Sequence, residues 1–288
     1  MDIPKRLYHY TRREVALEKI LPQRALKLGS LGETNDPREM QEWGFPVGNI
    51  PAGLDISAMD KEGRLLFLEE MNVLQREANC IRLEEWWFLS LSCDDPDLVA
   101  PDLTRPDFSH FKYGYARSRI WAQYAQDHAG ICLEFDGPAL DKAIRSASQT
   151  ETNVFCGRVE YHDEFNLRRA VTTNSPAFML DYSAIQKLGG ENGLRAHIRK
   201  HYDSFFLEKT PEWASEQEFR WLVNESRDPH DPILVDISTA LTAVIVGVKF
   251  PSVYEPSVRV LCDSLGVRLE RMTWSNRVPH KQLWEVSA

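Results

Sequence analysis

Two glutamates and an arginine occupy every second position of the late segment Glu216-Gln-Glu218-Phe-Arg220. If this segment is a strand running to Val223, Glu216, Glu218 and Arg220 share one face, because strand side chains alternate. A carboxylate beside a guanidinium stays ionised at neutral pH, and it can hold a sugar hydroxyl or stabilise an oxocarbenium-like centre. The alternative is a salt-bridged, solvated face, which contributes little stability.

A second group of chemically capable residues lies near the N-terminus, in Tyr8-His9-Tyr10-Thr11. Thr11 and Glu14 fit a capping box, which predicts that a strand passes directly into a helix here. A histidine between two tyrosines offers a ligand an imidazole and two aromatic faces. In the alternative interpretation, Thr11 only caps the helix, Tyr10 only packs, and His9 only satisfies a backbone group.

Other common site motifs are missing or weak. The sequence has no Gly-x-Gly-x-x-Gly or Walker loop and no Gly-x-Ser-x-Gly motif. His197 and His201 have the four-residue spacing of some metal ligands. The glutamate of the zinc-protease helix is absent, however, and His201 follows the apolar side of the predicted helix. We therefore predict packed histidines and no metal site.

Composition bounds the class of protein. The 288 residues include 34 Lys plus Arg, 43 Asp plus Glu and 43% hydrophobic residues, which excludes disordered and coiled-coil classes. The net charge of −9 argues against generic binding of nucleic acid. The five cysteines form no Cys-x-x-Cys pair. No apolar run approaches the ~20 residues of a membrane span, and the N-terminus lacks an apolar targeting region. We expect a cytoplasmic protein without a membrane segment.

The pattern of elements predicts a single α+β domain over 1–288, with mixed or antiparallel central sheets flanked by helices. Residues 93–108, rich in Pro and Asp, are predicted to form an irregular loop or lid. Alternation over 131–135 predicts that Cys132 and Glu134 face outward. The main predicted strands are Arg6 to Tyr10, Ala25 to Leu28, Trp86 to Ser92, Ile131 to Phe135, Val154 to Tyr161, Glu216 to Val223, Ile233 to Asp236, Ala243 to Val248 and Arg268 to Met272. The main predicted helices are Met59 to Arg82, Arg117 to His128, one or two between Pro176 and Glu208, and Ser252 to Leu265.

Several short stretches, in order and spacing, resemble the bacterial family known as domain of unknown function 2971, over nearly the whole chain. That family name implies no activity. The stretches are Tyr8-His9-Tyr10-Thr11; Leu31 with Asn35-Asp36-Pro37; Phe88-Leu-Ser90-Leu-Ser92; Trp121-Ala-Gln-Tyr124-Ala125 with His128, Gly130 and Glu134-Phe135; Val159-Glu-Tyr161; Lys209 to Arg220; and Val244-Ile-Val-Gly247.

The early His-Tyr-Thr and the late Glu-x-Glu also resemble the NAD-dependent ADP-ribosyltransferase superfamily, including toxin-type members. The resemblance implies an ADP-ribosyltransferase-like fold with NAD as co-substrate. It assigns Glu218 and Glu216 as catalytic. The residues that it implies for NAD binding are His9, Tyr10, Thr11, Ser90, Ser92, Tyr124 and Arg220. For Tyr124, which lies on the apolar arc of a predicted helix, core packing is the alternative.

The resulting hypothesis places NAD across a crevice between the His9 strand and the Ser90 strand. Glu218 binds the nicotinamide ribose and stabilises positive charge as nicotinamide leaves, while Glu216 orients or deprotonates the acceptor. The acceptor is a protein or a nucleic acid, the biological role a toxin or phage-defence effector, and an antitoxin partner is possible. Two alternatives stay open: an NAD glycohydrolase using the same site, and a non-enzymatic ligand-binding or interaction module.

Overall fold

The computed structural model describes residues 2–51, 55–96, 108–162, 176–228 and 230–284. The strands in these ranges are β1 Arg6–Thr11, β2 Ala25–Lys27, β3 Gly29–Ser30, β4 Val47–Gly48, β5 Trp86–Cys93, β6 Ile131–Asp136, β7 Val154–Arg158, β8 Glu160–Tyr161, β9 Leu180–Asp181, β10 Glu208–Lys209, β11 Glu218–Asn224, β12 Leu234–Asp236, β13 Leu241–Val246, β14 Arg268–Ser275 and β15 Val278–Leu283. The α-helices are α1 Arg13–Val15, α2 Leu21–Gln23, α3 Pro37–Met40, α4 Lys61–Glu84, α5 Ser118–Tyr124, α6 Gly137–Ala147, α7 Tyr182–Leu188, α8 Glu191–Lys200, α9 Tyr202–Phe206 and α10 Glu255–Leu265.

A large mixed sheet organises these elements. Its strand order is β15-β14-β13-β6-β1-β5-β11-β7, and β3 pairs with β5 as a ninth strand. Neighbours on this path are antiparallel except β13 and β14, which are parallel. The sheet and its flanking helices confirm the predicted α+β class. In the described part of the chain, no helix is both long and apolar enough to cross a bilayer.

The sheet separates between β1 and β5. Six residue pairs join β1 to β6 and seven join β5 to β11, but only Leu7–Cys93 and Tyr8–Ser92 join β1 to β5. Farther along, β5 pairs instead with β3, opposite Phe88 and Trp87. The two strands therefore part directly after Tyr8, and a gap opens in the sheet beside His9.

Buried side chains cover both faces of the sheet. In β6, Ile131, Leu133 and Phe135 join the largest apolar cluster, whereas Cys132 packs on the opposite face with Tyr10 and Trp121. Glu134 is only 3% exposed. The prediction that Cys132 and Glu134 face solvent is wrong, because elements pack against β6 from both sides.

The predicted capping box is also wrong. Thr11 ends β1 and pairs with Ile131, so its backbone belongs to the sheet. The residue that precedes α1 is Arg12, and it makes no side-chain cap. Glu14 instead accepts hydrogen bonds from Arg13 and Gln126.

Two predicted element boundaries shift for a backbone reason. The predicted strand from Glu216 begins only at Glu218, because Gln217 adopts a left-handed conformation with φ 45° after a 3₁₀ turn over Pro211–Glu216. The predicted helix to His128 ends at Tyr124, and residues 126–128 all have positive φ. Of the predicted loop or lid at 93–108, residue 93 closes β5, and 97–107 lie outside the described residues.

Candidate functional site

A cavity of about 210 Å³ opens where β1 and β5 part. Its walls come from β1, β5, β10, β11, α3 and α5 and from the turns beside them. The structure brings the following sequence-predicted site residues to this cavity: His9, Tyr10, Ser90, Ser92, Tyr124, Glu216, Glu218 and Arg220. Thr11, at the far end of β1, is not among the lining residues.

Glu218 and Arg220 project from β11 onto the same side, as the strand alternation predicts. Arg220 donates from Nε at 3.1 Å and from Nη2 at 2.9 Å to Oε1 of Glu218. Both side chains are buried, at 5% and 1% exposure. Burial alone would raise the pKa of Glu218, but Arg220 and Lys209 outweigh burial and lower the pKa to about 2. Glu218 is therefore a carboxylate at neutral pH.

Lys209 of β10 joins the two predicted catalytic carboxylates. Its Nζ lies 2.8 Å from Oε2 of Glu218 and 3.2 Å from Oε2 of Glu216. Burial alone would lower the pKa of Lys209, but the carboxylates, Glu218 foremost, raise it. On its other oxygen, Glu216 accepts a 2.6 Å hydrogen bond from the Tyr124 hydroxyl. Although Glu216 is not on the strand, its 3₁₀ turn delivers it to the same place as Glu218.

Glu39 of α3 is a cavity residue that the sequence analysis missed. It is 7% exposed, and its Oε1 accepts a 2.8 Å hydrogen bond from Nη1 of Arg220. A signal existed, since Asp36-Pro-Arg-Glu39 matches a capping box. Asp36 does cap α3 by accepting from the Arg38 amide. Glu39 does not complete the box, because its carboxylate turns to Arg220.

These ion-paired residues form one group, which we name the cavity cluster: Glu39, Lys209, Glu216, Glu218 and Arg220. Three carboxylates face two cations, so the formal charge of the cavity cluster at neutral pH is one negative charge. In a poorly solvated cavity this imbalance favours a ligand with a positive centre over an anion.

The rest of the cavity lining includes aromatic, apolar and uncharged polar side chains. Burial lowers the pKa of His9 to about 4, so its imidazole is neutral at neutral pH. Among the described residues, the His9 ring has no hydrogen-bond partner, which leaves its nitrogens for a ligand. Tyr10 differs, because its hydroxyl donates to the Gly114 carbonyl and its ring packs edge-on against Trp121. Phe88, Leu91 and Ile120 add apolar surface to the lining.

The two serines of β5 have different partners. Ser90 Oγ accepts a 3.1 Å hydrogen bond from Nε of Arg220, so it supports the cavity cluster directly. Ser92 Oγ donates at 2.7 Å to the backbone carbonyl of Glu216 and so anchors the turn before β11. Asn35, from the turn before α3, lines the cavity as well.

The histidine pair considered for metal binding lies elsewhere, on α8 and directly after it. The rings of His197 and His201 are 5.0 Å apart, and His197 Nε2 lies 2.8 Å from the Ala177 carbonyl. A search of the described residues finds no group of three or more His, Cys, Asp or Glu side chains arranged to hold a metal ion.

Fold and site together define an α+β protein with a cavity at a parting in its sheet and a buried ion cluster in the cavity wall. Residues 120–221 match the model of a family described as a protein of unknown function, DUF2971. The match covers about a third of the chain, and it includes Tyr124, Glu216, Glu218 and Arg220. No curated protein and no solved structure matches the chain.

Proposed function

We propose that the cavity binds the nicotinamide–ribose part of NAD and that the protein transfers ADP-ribose from NAD to an acceptor. The observation that carries the proposal is Glu218, an ionised carboxylate that is 5% exposed in the wall of the cavity. Breaking the glycosidic bond of NAD develops positive charge on the ribose. A fixed carboxylate in a poorly solvated site stabilises such charge strongly.

The size and polarity of the cavity agree with a partly enclosed substrate. At about 210 Å³ it is smaller than the ~300–1,000 Å³ typical of pockets for drug-sized ligands. A ring and its sugar would fill it, and the rest of NAD would extend through the opening. The neutral His9 and the apolar surface of Phe88 suit the planar nicotinamide ring.

The reaction follows from these positions. The bond between the ribose anomeric carbon and the nicotinamide nitrogen breaks, and its electron pair leaves with nicotinamide. A nucleophilic atom of the acceptor forms a bond to the same carbon and loses a proton, which Glu216 takes. Lys209 holds Glu216 and Glu218 side by side. With water as acceptor, the same steps give NAD hydrolysis.

The test is incubation with NAD, with nicotinamide measured by chromatography and ADP-ribose traced by mass spectrometry. We expect nicotinamide release, and ADP-ribose attached to protein or nucleic acid indicates transfer, whereas free ADP-ribose indicates hydrolysis. Glu218→Gln should lose the activity. The matched control is Glu225→Gln, at another buried glutamate, which accepts from Ser148 and lies outside the cavity lining. No nicotinamide release with any acceptor would contradict the proposal and favour a binding module.

The net charge of −9 bears on the acceptor. A nucleic acid acceptor would meet an acidic protein, so we expect its contact to be local and transient. Expression in bacteria, with growth compared between the native chain and Glu218→Gln, tests the toxin or defence role that the sequence suggests.

A further inference from the structure

Two carboxylate oxygens in the cavity wall have no hydrogen-bond partner among the described residues. They are Oε2 of Glu39 and Oε2 of Glu218, and both residues are at least nine-tenths buried. Oε2 of Glu218 is nevertheless ion-paired with Lys209 Nζ at 2.8 Å, so Oε2 of Glu39 is the clearer case. Buried polar atoms in native proteins are normally hydrogen-bonded, so each such oxygen needs an explanation.

Arg220 sets these two carboxylates side by side. Nη1 binds Glu39 at 2.8 Å and Nη2 binds Glu218 at 2.9 Å, each through Oε1. The planar guanidinium has a fixed fork geometry, so it fixes the spacing of the two carboxylates. Glu39 keeps its second oxygen as an acceptor, and Glu218 shares its second oxygen with Lys209.

A contact from α4 also fixes the position of Glu39. Arg82 of α4 is fully buried, and its Nη1 donates at 2.8 Å to the Glu39 backbone carbonyl. Arg82 also stacks over the Trp43 ring, 4.3 Å from the ring centroid. The acceptor pair is therefore formed before any ligand binds, which lowers the entropic cost of binding.

We infer that Glu39 and Glu218 together bind the two neighbouring hydroxyls of a ribose, and that Glu39 selects ribose over deoxyribose. The inference rests on the proposed function for the identity of the larger substrate. Two carboxylates held on one guanidinium supply acceptors for hydroxyl donors, and acidic side chains bind ribose hydroxyls in dinucleotide-binding folds. Glu39 thereby becomes a binding residue of the cavity, contributed by α3.

The experiment measures binding by calorimetry with five ligands: nicotinamide riboside, its 2′-deoxy analogue, nicotinamide, adenosine and 2′-deoxyadenosine. The last two compare ribose with deoxyribose in the absence of nicotinamide. The native protein should bind the ribose compound of each pair about tenfold or more tightly than its deoxy analogue, because hydrogen bonds to charged groups are strong. Glu39→Gln should reduce that preference to about threefold or less and leave the affinity for nicotinamide unchanged.

Glu225→Gln is the control, since Glu225 is a buried glutamate whose Oε2 also accepts no hydrogen bond from the described residues, but it does not line the cavity. It should keep the native preference for ribose. The inference is overturned if the native protein binds neither ribose ligand, if it binds ribose and deoxyribose compounds equally, or if Glu39→Gln keeps the full preference. If Glu39→Gln does not fold, Glu39→Asp keeps the charge but withdraws the carboxylate by one methylene, and it should lose the ribose preference in the same way. A ribose preference without nicotinamide release would uphold this inference and reject the proposed chemistry.

Discussion

Two buried ion clusters include residues of the large sheet, and of these two the cavity cluster lines the cavity. The second, which we name the sheet cluster, consists of Glu134, Arg268, Glu270 and Lys281 on β6, β14 and β15. Glu134 is 3% and Glu270 7% exposed, much like the carboxylates of the cavity cluster. Both clusters thus hold buried carboxylates between cations.

The two clusters differ in charge balance and in the strands around them. The sheet cluster pairs two carboxylates with two cations, and strands β6, β13, β14 and β15 remain paired across it. The cavity cluster has one carboxylate in excess and lies where β1 and β5 part. The lesson is that the parting of the strands, more than the ionic chemistry itself, distinguishes the candidate site from a structural ion cluster.

Removing the central lysine of each cluster should give the largest effect. Lys209→Met removes the buried ion-pair partner that Glu216 and Glu218 share. It should therefore lower the free energy of unfolding by about 3–5 kcal/mol. Lys281→Met should cost less, about 1–2 kcal/mol, because Arg268 still contacts both carboxylates and is 53% exposed. Urea unfolding measures both values, and equal losses would erase the distinction between the clusters.

The second largest effect should be on the rate of nicotinamide release, which a substitution in the cavity cluster should lower and one in the sheet cluster should not. Glu218→Gln should slow nicotinamide release from NAD by about 10²–10³-fold, the usual effect of removing one preorganised charge-stabilising group. Glu134→Gln, at an equally buried carboxylate of the sheet cluster, should stay within about twofold of the native rate. The rates are compared at saturating NAD after circular dichroism has shown that both variants fold. A similar loss in both variants would mean that the effect is structural.

The pH dependence of stability tests the cavity walls. His9 takes up its proton in the unfolded chain near pH 6.5, but in the folded chain its pKa is lowered to about 4. Its contribution to the free energy of unfolding therefore falls as the pH drops between these values. The ionised Glu218 carboxylate makes its full contribution to the free energy of unfolding above pH 4.5. That contribution is lost as the pH drops towards the folded-state pKa of about 2. Each contribution is at most about 3 kcal/mol.

Two variants separate these windows. In urea unfolding at a series of pH values, His9→Gln should flatten the profile between about pH 6.5 and 4 and leave the lower window, whereas Glu218→Gln should do the reverse. Each variant serves as the control for the other. A native slope in His9→Gln would show that the His9 imidazole is not desolvated.

Ser90→Ala should give the smallest effect. It removes the 3.1 Å hydrogen bond between Ser90 Oγ and Arg220, and it should lower the free energy of unfolding by about 1 kcal/mol. Thr242→Val is the counterpart in the sheet cluster, since Thr242 bonds to Glu134 at 3.2 Å. Only Ser90→Ala should also change NAD binding in calorimetry, and an equal change in Thr242→Val would contradict the account.

Much of the fold could be predicted from local pattern. The apolar strands β5 and β6 and the long helix α4 were placed to within two residues, because periodicity and flanking turns determine such elements. The strand β15 was missed, since its sequence VPHKQL is polar and it forms by pairing with β14 at the edge of the sheet. Pairing partners of this kind are not encoded in the local sequence.

The site was predictable only in part, for a similar reason. The spacing of Glu218 and Arg220 on one strand is local and was predicted correctly. Glu216 was predicted to share that strand, but the left-handed Gln217 separates it. Lys209 and Glu39 join the cavity cluster through tertiary contacts, which span as many as 181 positions of the chain between Glu39 and Arg220. Residue spacing in the sequence predicts only contacts within one helix or strand, so it could not predict these.

A crystal structure of the protein with NAD tests the central claim most directly. The account predicts density for the nicotinamide and its ribose between His9 and Glu218, with the ribose hydroxyls within about 3.2 Å of the Glu39 and Glu218 carboxylates. Density for NAD elsewhere, with the cavity between β1 and β5 empty, would contradict it.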